Sequence, residues 1–185
     1  MIDSRFKWDV HIEFLNKKLR ACSFNIFKLI NYLRVNVLRS IYCSLAESLV
    51  RYGLSAWGNT SYVHLKKIES TQLRMLKAMR KTKPTGPHTR YDYFKYFDVL
   101  PAHDLYKYNT ILKYYRQDMY KQLPNHTYGI RNQQYATSQY NNDYGRQLLT
   151  FTVPDLLNSF PQTIDDKTKT SKLKKQLLLW LFSQN

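Results

Sequence analysis

The stretch YVHLKKIESTQLRMLKAMRK, residues 62–81, separates its apolar and charged side chains sharply. Its apolar residues recur at helical spacing, with Gln72 among them, and predict an amphipathic helix whose buried side holds Leu65, Ile68, Met75, Leu76 and Met79. The other side holds cations with almost no balancing acid: Lys66, Lys67, Arg74, Lys77 and Lys81, continued by Arg80 and Lys83. We therefore predict a helix that packs by one face and presents a basic face about 25–30 Å long.

Two further apolar stripes lie ahead of this helix. The first, from Val10 to about Leu33, predicts one continuous helix built on Ile12, Leu15, Leu19, Cys22, Ile26, Leu29 and Leu33. Three phenylalanines lie off that stripe, namely Phe14, Phe24 and Phe27, and predict an interaction surface, since a helix with apolar groups on several faces expects several contacts. The second stripe ends at Gly53 and comprises Leu38, Ile41, Tyr42, Leu45, Leu49 and Tyr52, with SAWGNTS (55–61) expected to form a turn.

The remaining chain divides at KTKPTGPHT, residues 81–89, which breaks the helical pattern. A short aromatic helix and a fifth helix over about 102–120 are expected next, then a loop with a short strand near QLLTFTV (147–153). A basic amphipathic helix from about Ser171 closes the chain, built on Leu173, Leu177, Trp180 and Leu181. The sequence thus predicts a mostly α fold, organised as a helical bundle at 1–83, connecting helices at 84–121 and a tail at 122–185.

Charge points to an anionic partner. The 185 residues include 29 Lys and Arg against 13 Asp and Glu, a formal net charge of +16. Nucleic acid is the first candidate and a membrane surface the second. The membrane interpretation weakens because the longest apolar run, LLLWLF (177–182), is far shorter than the roughly 20 residues of a span. No signal-peptide pattern occurs, so we expect an intracellular protein, nuclear or cytoplasmic, with Cys22 and Cys43 as small buried residues.

Residues with catalytic or metal-binding patterns are not evident in the sequence. Asp165 and Asp166 are adjacent, but polar residues flank them and favour a solvated loop over a metal site. The five histidines are scattered, and no glycine-rich phosphate loop or nucleophile motif is found. We therefore expect no catalytic residue, no metal and no cofactor. The tyrosines of 91–120 alternate with lysines and could stack on bases, although their helical spacing favours a place in the core.

Several motifs, taken in order, resemble the C-terminal part of a non-LTR retrotransposon reverse transcriptase of the LINE-type, jockey-like group. Each motif is moderately specific, while their order and spacing cover nearly the whole chain. Two family positions differ, with Ile130 in place of a threonine and Leu157 in place of a tryptophan. The matching segments are IDSRFKWDVHI (2–12), IYCSLAESLVRYGLSAWG (41–58), LKKIESTQLRML (65–76), LPAHDLY (100–106), HTYGIRN (126–132), VPDLLNSFPQTI (153–164) and SKLKKQLL (171–178).

The resemblance implies that residues 1–83 are a thumb, which in this family lies against the minor-groove side of the template–primer duplex. The palm with its magnesium-binding aspartates, the fingers and the endonuclease would all precede residue 1. The expected function is that of a truncated fragment binding an RNA–DNA or DNA duplex without sequence preference and without polymerase activity. Three alternatives stay open: an ordinary solvated basic face, a helical module that binds a protein such as a polymerase core, and an inert product of a degenerate element.

Overall fold

A computed structural model of the protein describes residues 8–81, 89–115, 135–161 and 169–184. These residues are mostly helical, which confirms the predicted fold class, and none of them forms a strand. The elements are α1 (Asp9–Leu29), α2 (Val35–Ile41), a π-helical segment (Tyr42–Glu47), α3 (Ser48–Arg51), α4 (Leu54–Trp57), α5 (Tyr62–Met79), α6 (Arg90–Tyr96), α7 (Ala102–Tyr114), α8 (Asp143–Gln147), α9 (Leu149–Ser159) and α10 (Thr170–Ser183).

The chain divides into two compact units, and the boundary between them falls within α7, between Tyr106 and Lys107. The first unit contains α1 to α6 and the start of α7. The second contains the rest of α7 and α8 to α10. The division into a helical bundle at 1–83, connecting helices at 84–121 and a tail at 122–185 stays a prediction.

The long helices α1 and α5 pack along each other and form the centre of the first unit. The predicted stripe of α1 is largely confirmed, since Leu15, Leu19 and Ile26 are buried, while Cys22 is half-buried. On α5 every residue of the predicted stripe is buried, including Gln72. The two helices thus bury the faces that their sequences predict.

The second predicted stripe is wrong at two of its residues. Leu45 and Tyr52 were expected in the core but are 44% and 80% exposed, whereas Ala46 and Val50 are fully buried. The cause is the π-helical segment, whose wider turn keeps residues four apart in line, because its hydrogen bonds run from i to i+5. An α-helix of 3.6 residues per turn would drift by about 40° at each four-residue step.

The region expected to be a turn after this helix begins as a helix. Gly53 ends the preceding element in the left-handed conformation, with φ 66°, as its place in the sequence predicts. The residues that follow form α4, which buries Trp57 and lets its indole nitrogen donate to the carbonyl of Tyr52 at 3.0 Å. The expected turn at 55–61 is therefore wrong in its first half, because burial of Trp57 favours one further helical turn.

Side chains of α5 supply the hydrogen bonds that the first turn of α7 lacks. The side-chain oxygen of Gln72 accepts from the backbone N–H of Ala102 at 3.0 Å, and Glu69 accepts from that of His103 at 3.2 Å. The amide nitrogen of Gln72 also donates to the hydroxyl of Tyr42 at 3.0 Å. The first N–H groups of a helix have no partner within it, so α5 acts as the N-terminal cap of α7.

In the second unit the expected strand near residues 147–153 is wrong. Residues Leu149–Ser159 form α9 even though Thr, Phe and Val favour strands. Burial at helical spacing overrides that preference, because Val153, Leu156, Leu157 and Phe160 are all buried. The stripe of α10 is confirmed at its buried leucines, and half-buried Trp180 packs edge-on against Phe160 with ring centroids 5.2 Å apart.

Candidate nucleic-acid interface

The outer face of α5 is basic along its length. Lys66, Lys67, Arg74 and Lys77 are all exposed, and the 18 residues of the helix extend over about 27 Å. Glu69 is the one acid within α5, and it is buried where it accepts the hydrogen bond from His103. Burial raises the pKa of the Glu69 carboxyl, and Asp104 raises it further. The exposed face of α5 therefore carries cations and no carboxylate of its own.

A groove of about 1100 Å³ runs between α1 and α5. Its lining joins cations, small polar groups and aromatic rings from both helices. The residues are Glu13, Asn16, Lys17, Arg20, Ser23, Phe24 and Phe27 of α1 and Lys67, Ser70, Thr71 and Arg74 of α5. Among them the hydroxyl of Thr71 donates to the side-chain oxygen of Asn16 at 2.6 Å, which ties the helices together along the groove.

The groove is strongly positive. Four cations line it, two from each helix, against the single carboxylate of Glu13. Lys17 and Arg20 are not among the predicted site residues, although the sequence places them opposite the apolar stripe of α1. Only the pairing of α1 with α5 brings them beside Lys67 and Arg74. Four cations in one open channel match the charge of a phosphodiester backbone.

Two of the three predicted interaction residues lie in the same groove. Phe24 is 58% exposed, with the ammonium of Lys28 at 4.4 Å from its ring centroid. Phe27 is half-buried, and the guanidinium of Arg74 lies 5.7 Å from its centroid. The predicted basic face and the predicted phenylalanine surface thus meet in one channel, a relation that the sequence does not reveal.

Phe14 lies outside this channel, although its surroundings resemble those of Phe24. It is 55% exposed, and the ammonium of Lys18 lies 4.5 Å from its ring centroid. Neither Phe14 nor Lys18 lines the groove. This pair therefore offers a matched comparison for Phe24 on the same helix.

The remaining predicted cations are placed differently. Arg80 is half-buried, with its guanidinium 4.4 Å from the ring centroid of Tyr96 and 5.7 Å from that of Tyr93. Lys77 lies 5.5 Å from the same Tyr93 ring, so these two cations adjoin α6 rather than the groove. Lys66 and Lys81 are exposed but do not line the groove, and Lys83 lies outside the described residues.

The tyrosines of α6 and α7 belong mainly to the core. Tyr93, Tyr106, Tyr108 and Tyr114 are each at most 8% exposed, which confirms the core interpretation for these residues. Tyr96 is 52% exposed and carries Arg80 on its ring. The tyrosines of α6 and of the described part of α7 thus offer little open surface for base stacking.

Candidate metal ligands are scattered over the part of the chain that the structure describes. Within it, no three His, Cys, Asp or Glu side chains are placed to hold a metal ion. Asp165 and Asp166 lie outside the described residues. Among the described helices, none is both long and apolar enough to cross a membrane.

Comparison of the chain with protein-family models, curated proteins and solved structures found no significant match. The resemblance to LINE-type reverse transcriptases therefore rests on the sequence motifs alone. The structure adds the helical fold and the geometry of the groove.

Proposed function

We propose that this chain derives from the thumb and post-polymerase part of a LINE-type reverse transcriptase and binds nucleic acid. Its first unit binds the sugar–phosphate backbone of an RNA–DNA or DNA duplex without sequence preference. The binding needs no metal and no catalytic residue, and the chain alone does not transfer nucleotides. The motifs between residues 2 and 178 support the derivation from a LINE-type reverse transcriptase. The groove between α1 and α5 supports the binding of nucleic acid.

The observation that carries the proposal is the convergence of Lys17, Arg20, Lys67 and Arg74 on one groove. A solvated face on a single helix is common and needs no ligand. Cations that two packed helices direct into a shared channel repel each other, and an anion bound there relieves that repulsion. The net charge of +16 favours an anionic partner for the chain as a whole.

Salt dependence tests this proposal directly. Each phosphate that a protein neutralises releases counterions, so four contacts give a slope of log K against log salt of about −3 to −4. We expect this slope for a fluorescently labelled RNA–DNA hybrid titrated at several salt concentrations and followed by anisotropy. Affinity that does not change with salt would reject the proposal.

Charge reversal separates the groove from the general charge of the protein. Arg74→Glu is expected to weaken binding to the hybrid and to reduce the salt slope by about one or more. Lys18→Glu is the matched control, because Lys18 is exposed on α1 but outside the groove. Equal losses for both variants would show that binding reflects net charge alone.

A second candidate function is supported by apolar side chains on the outside of the first unit. Phe14, Val37 and Leu45 are 55%, 46% and 44% exposed, which suits a helical module that binds a protein. A polymerase core acting in trans is the partner that the resemblance suggests. Analytical ultracentrifugation of the chain mixed with a purified LINE-type polymerase core tests this function, and Phe14→Ser is expected to weaken the complex. Sedimentation of two independent species would reject it.

A further inference from the structure

The groove between α1 and α5 contains aromatic rings that phosphate binding does not explain. Phosphates require cations and N–H donors, and a phenylalanine offers neither. Single exposed apolar residues are common on protein surfaces. Here, however, Phe24 and Phe27 line the same channel as four cations, and both helices contribute to it.

We infer that this groove binds unpaired nucleotides, with Phe24 stacking on a base while the cations hold the adjoining phosphates. The inference rests on the proposed nucleic-acid binding and specifies which part of the nucleic acid enters the groove. Grooves that track a backbone with cations and stack bases on aromatic rings are the usual means of binding single strands.

Paired nucleotides would not use these rings. In a duplex the faces of the bases are covered by their neighbours, so a protein reaches only base edges, sugars and phosphates. An aromatic side chain can stack on a base only where that base is unpaired and its face is exposed. The exposed ring of Phe24 therefore fits a single-stranded segment better than the interior of a duplex.

The spacing along α1 fits a short strand. Lys17, Arg20, Phe24 and Phe27 follow one another at intervals of three, four and three residues and thus form one row on the helix. The row spans eleven residues, and its ten steps along the helix rise by about 15 Å. At about 3.4 Å per stacked nucleotide, it can accompany about four nucleotides. Lys67 and Arg74 line the channel from the side of α5.

A purely structural role for the ring predicts something different. Lys28 lies over Phe24 as Lys18 lies over Phe14, and such pairs stabilise exposed helix surfaces by small amounts. If that were the whole role of Phe24, replacing either phenylalanine would have the same effect on nucleic-acid binding. Phe14→Ala is therefore the control for Phe24→Ala, because Phe14 has nearly the same exposure and the same kind of cation contact.

The experiment uses the full chain and three labelled probes of the same sequence. The first is a blunt RNA–DNA hybrid, the second carries a DNA overhang of about four nucleotides, and the third carries the same overhang without bases. Anisotropy gives the dissociation constant of each. The abasic overhang keeps every phosphate and removes every base face, so the comparison isolates stacking.

For the unaltered chain we expect the base-bearing overhang to bind about tenfold more tightly than the abasic one. Phe24→Ala is expected to lose most of this difference, whereas Phe14→Ala keeps it. Circular dichroism melting checks that both variants fold, which their exposed positions lead us to expect. Arg74→Glu is expected to weaken binding to all three probes.

Several results would overturn the inference. Equal affinity for the base-bearing and abasic overhangs would show that the groove reads phosphates alone, and the proposed duplex binding would stand. Equal effects of Phe24→Ala and Phe14→Ala would place the base contact elsewhere. No binding to any of the three probes would overturn the proposed function and the inference together.

Discussion

Replacing Gln72 by leucine tests how much the hydrogen bonds of this side chain, including the one that caps α7, stabilise the first unit. Leucine has a similar size, so the packing of the buried position changes little. The substitution removes the acceptor of the Ala102 N–H and the donor to the Tyr42 hydroxyl, which lie 3.0 Å away in each case. Both Tyr42 and Ala102 are fully buried, so water cannot replace the lost partners.

A buried polar group without a partner costs about 1–3 kcal/mol. Two such groups, partly offset by the better transfer of leucine to the interior, give an expected loss of about 2–4 kcal/mol in the free energy of unfolding. For a unit of this size the loss lowers Tm by about 10–20 °C. Faster hydrogen exchange is expected at the N–H of Ala102 in particular, because that group loses its acceptor, the side chain that caps α7.

Urea denaturation followed by circular dichroism measures the loss, and hydrogen exchange locates it. Gln139→Leu is the control, since Gln139 is exposed. The cap interpretation is refuted if Gln72→Leu costs less than about 1 kcal/mol, or if exchange at Ala102 stays as slow as in the unaltered chain.

Three further predictions address the groove, the buried acid and a close backbone contact. Lys17→Glu is expected to weaken hybrid binding about five- to tenfold at about 0.1 M salt. Lys18→Glu is expected to leave the affinity nearly unchanged, since only Lys17 lines the groove. Equal losses of affinity for the two variants, measured by anisotropy, would contradict this prediction. Burial raises the pKa of Glu69 above its ordinary value of 4.5, so stability falls as pH rises above 4.5 through the raised pKa. Glu69→Gln keeps an acceptor for the N–H of His103 and removes the titrating group. The free energy of unfolding, measured by urea denaturation at several pH values, is therefore expected to fall less steeply with pH. An unchanged pH profile would contradict a raised pKa of Glu69. Gly58→Ala would place a methyl group 2.5 Å from the carbonyl oxygen of Leu54 and against the ring of Tyr106, so we expect a loss of about 2–3 kcal/mol in thermal melting; an unchanged Tm would show that the backbone relaxes there.

Local periodicity predicted the helices that bury one regular stripe. The five apolar residues of α5 and the three leucines of α10 are buried as their spacing indicates, because burial of one face decides the structure of such segments. The same reasoning failed at Tyr42–Glu47, where a π-helical turn changes the period, and at Leu149–Ser159, where burial outweighs strand propensity. Neither effect is visible in a pattern that assumes 3.6 residues per turn.

The candidate site was predictable in its parts but not in its arrangement. The sequence indicates the cations of α5 and the phenylalanines of α1 separately, as two surfaces with different partners. Their meeting in one groove depends on how α1 and α5 pair, which no local pattern encodes. Lys17 and Arg20 were missed for the same reason, while Arg80 lies on aromatic rings of α6 that the pattern of α5 could not indicate.

The π-helical segment also bears on how this chain can change length. A π-helical turn accommodates one more residue than an α-helical turn over nearly the same rotation. Loss of one residue between Tyr42 and Glu47 can therefore be absorbed by rewinding to α-helix, which leaves Leu38 before it and Val50 after it on their present side. The same deletion inside α5 would rotate every later side chain by about 100° and carry the basic face away from the groove. Insertions and deletions among related sequences are thus expected to gather in this one stretch of helix and to spare α5.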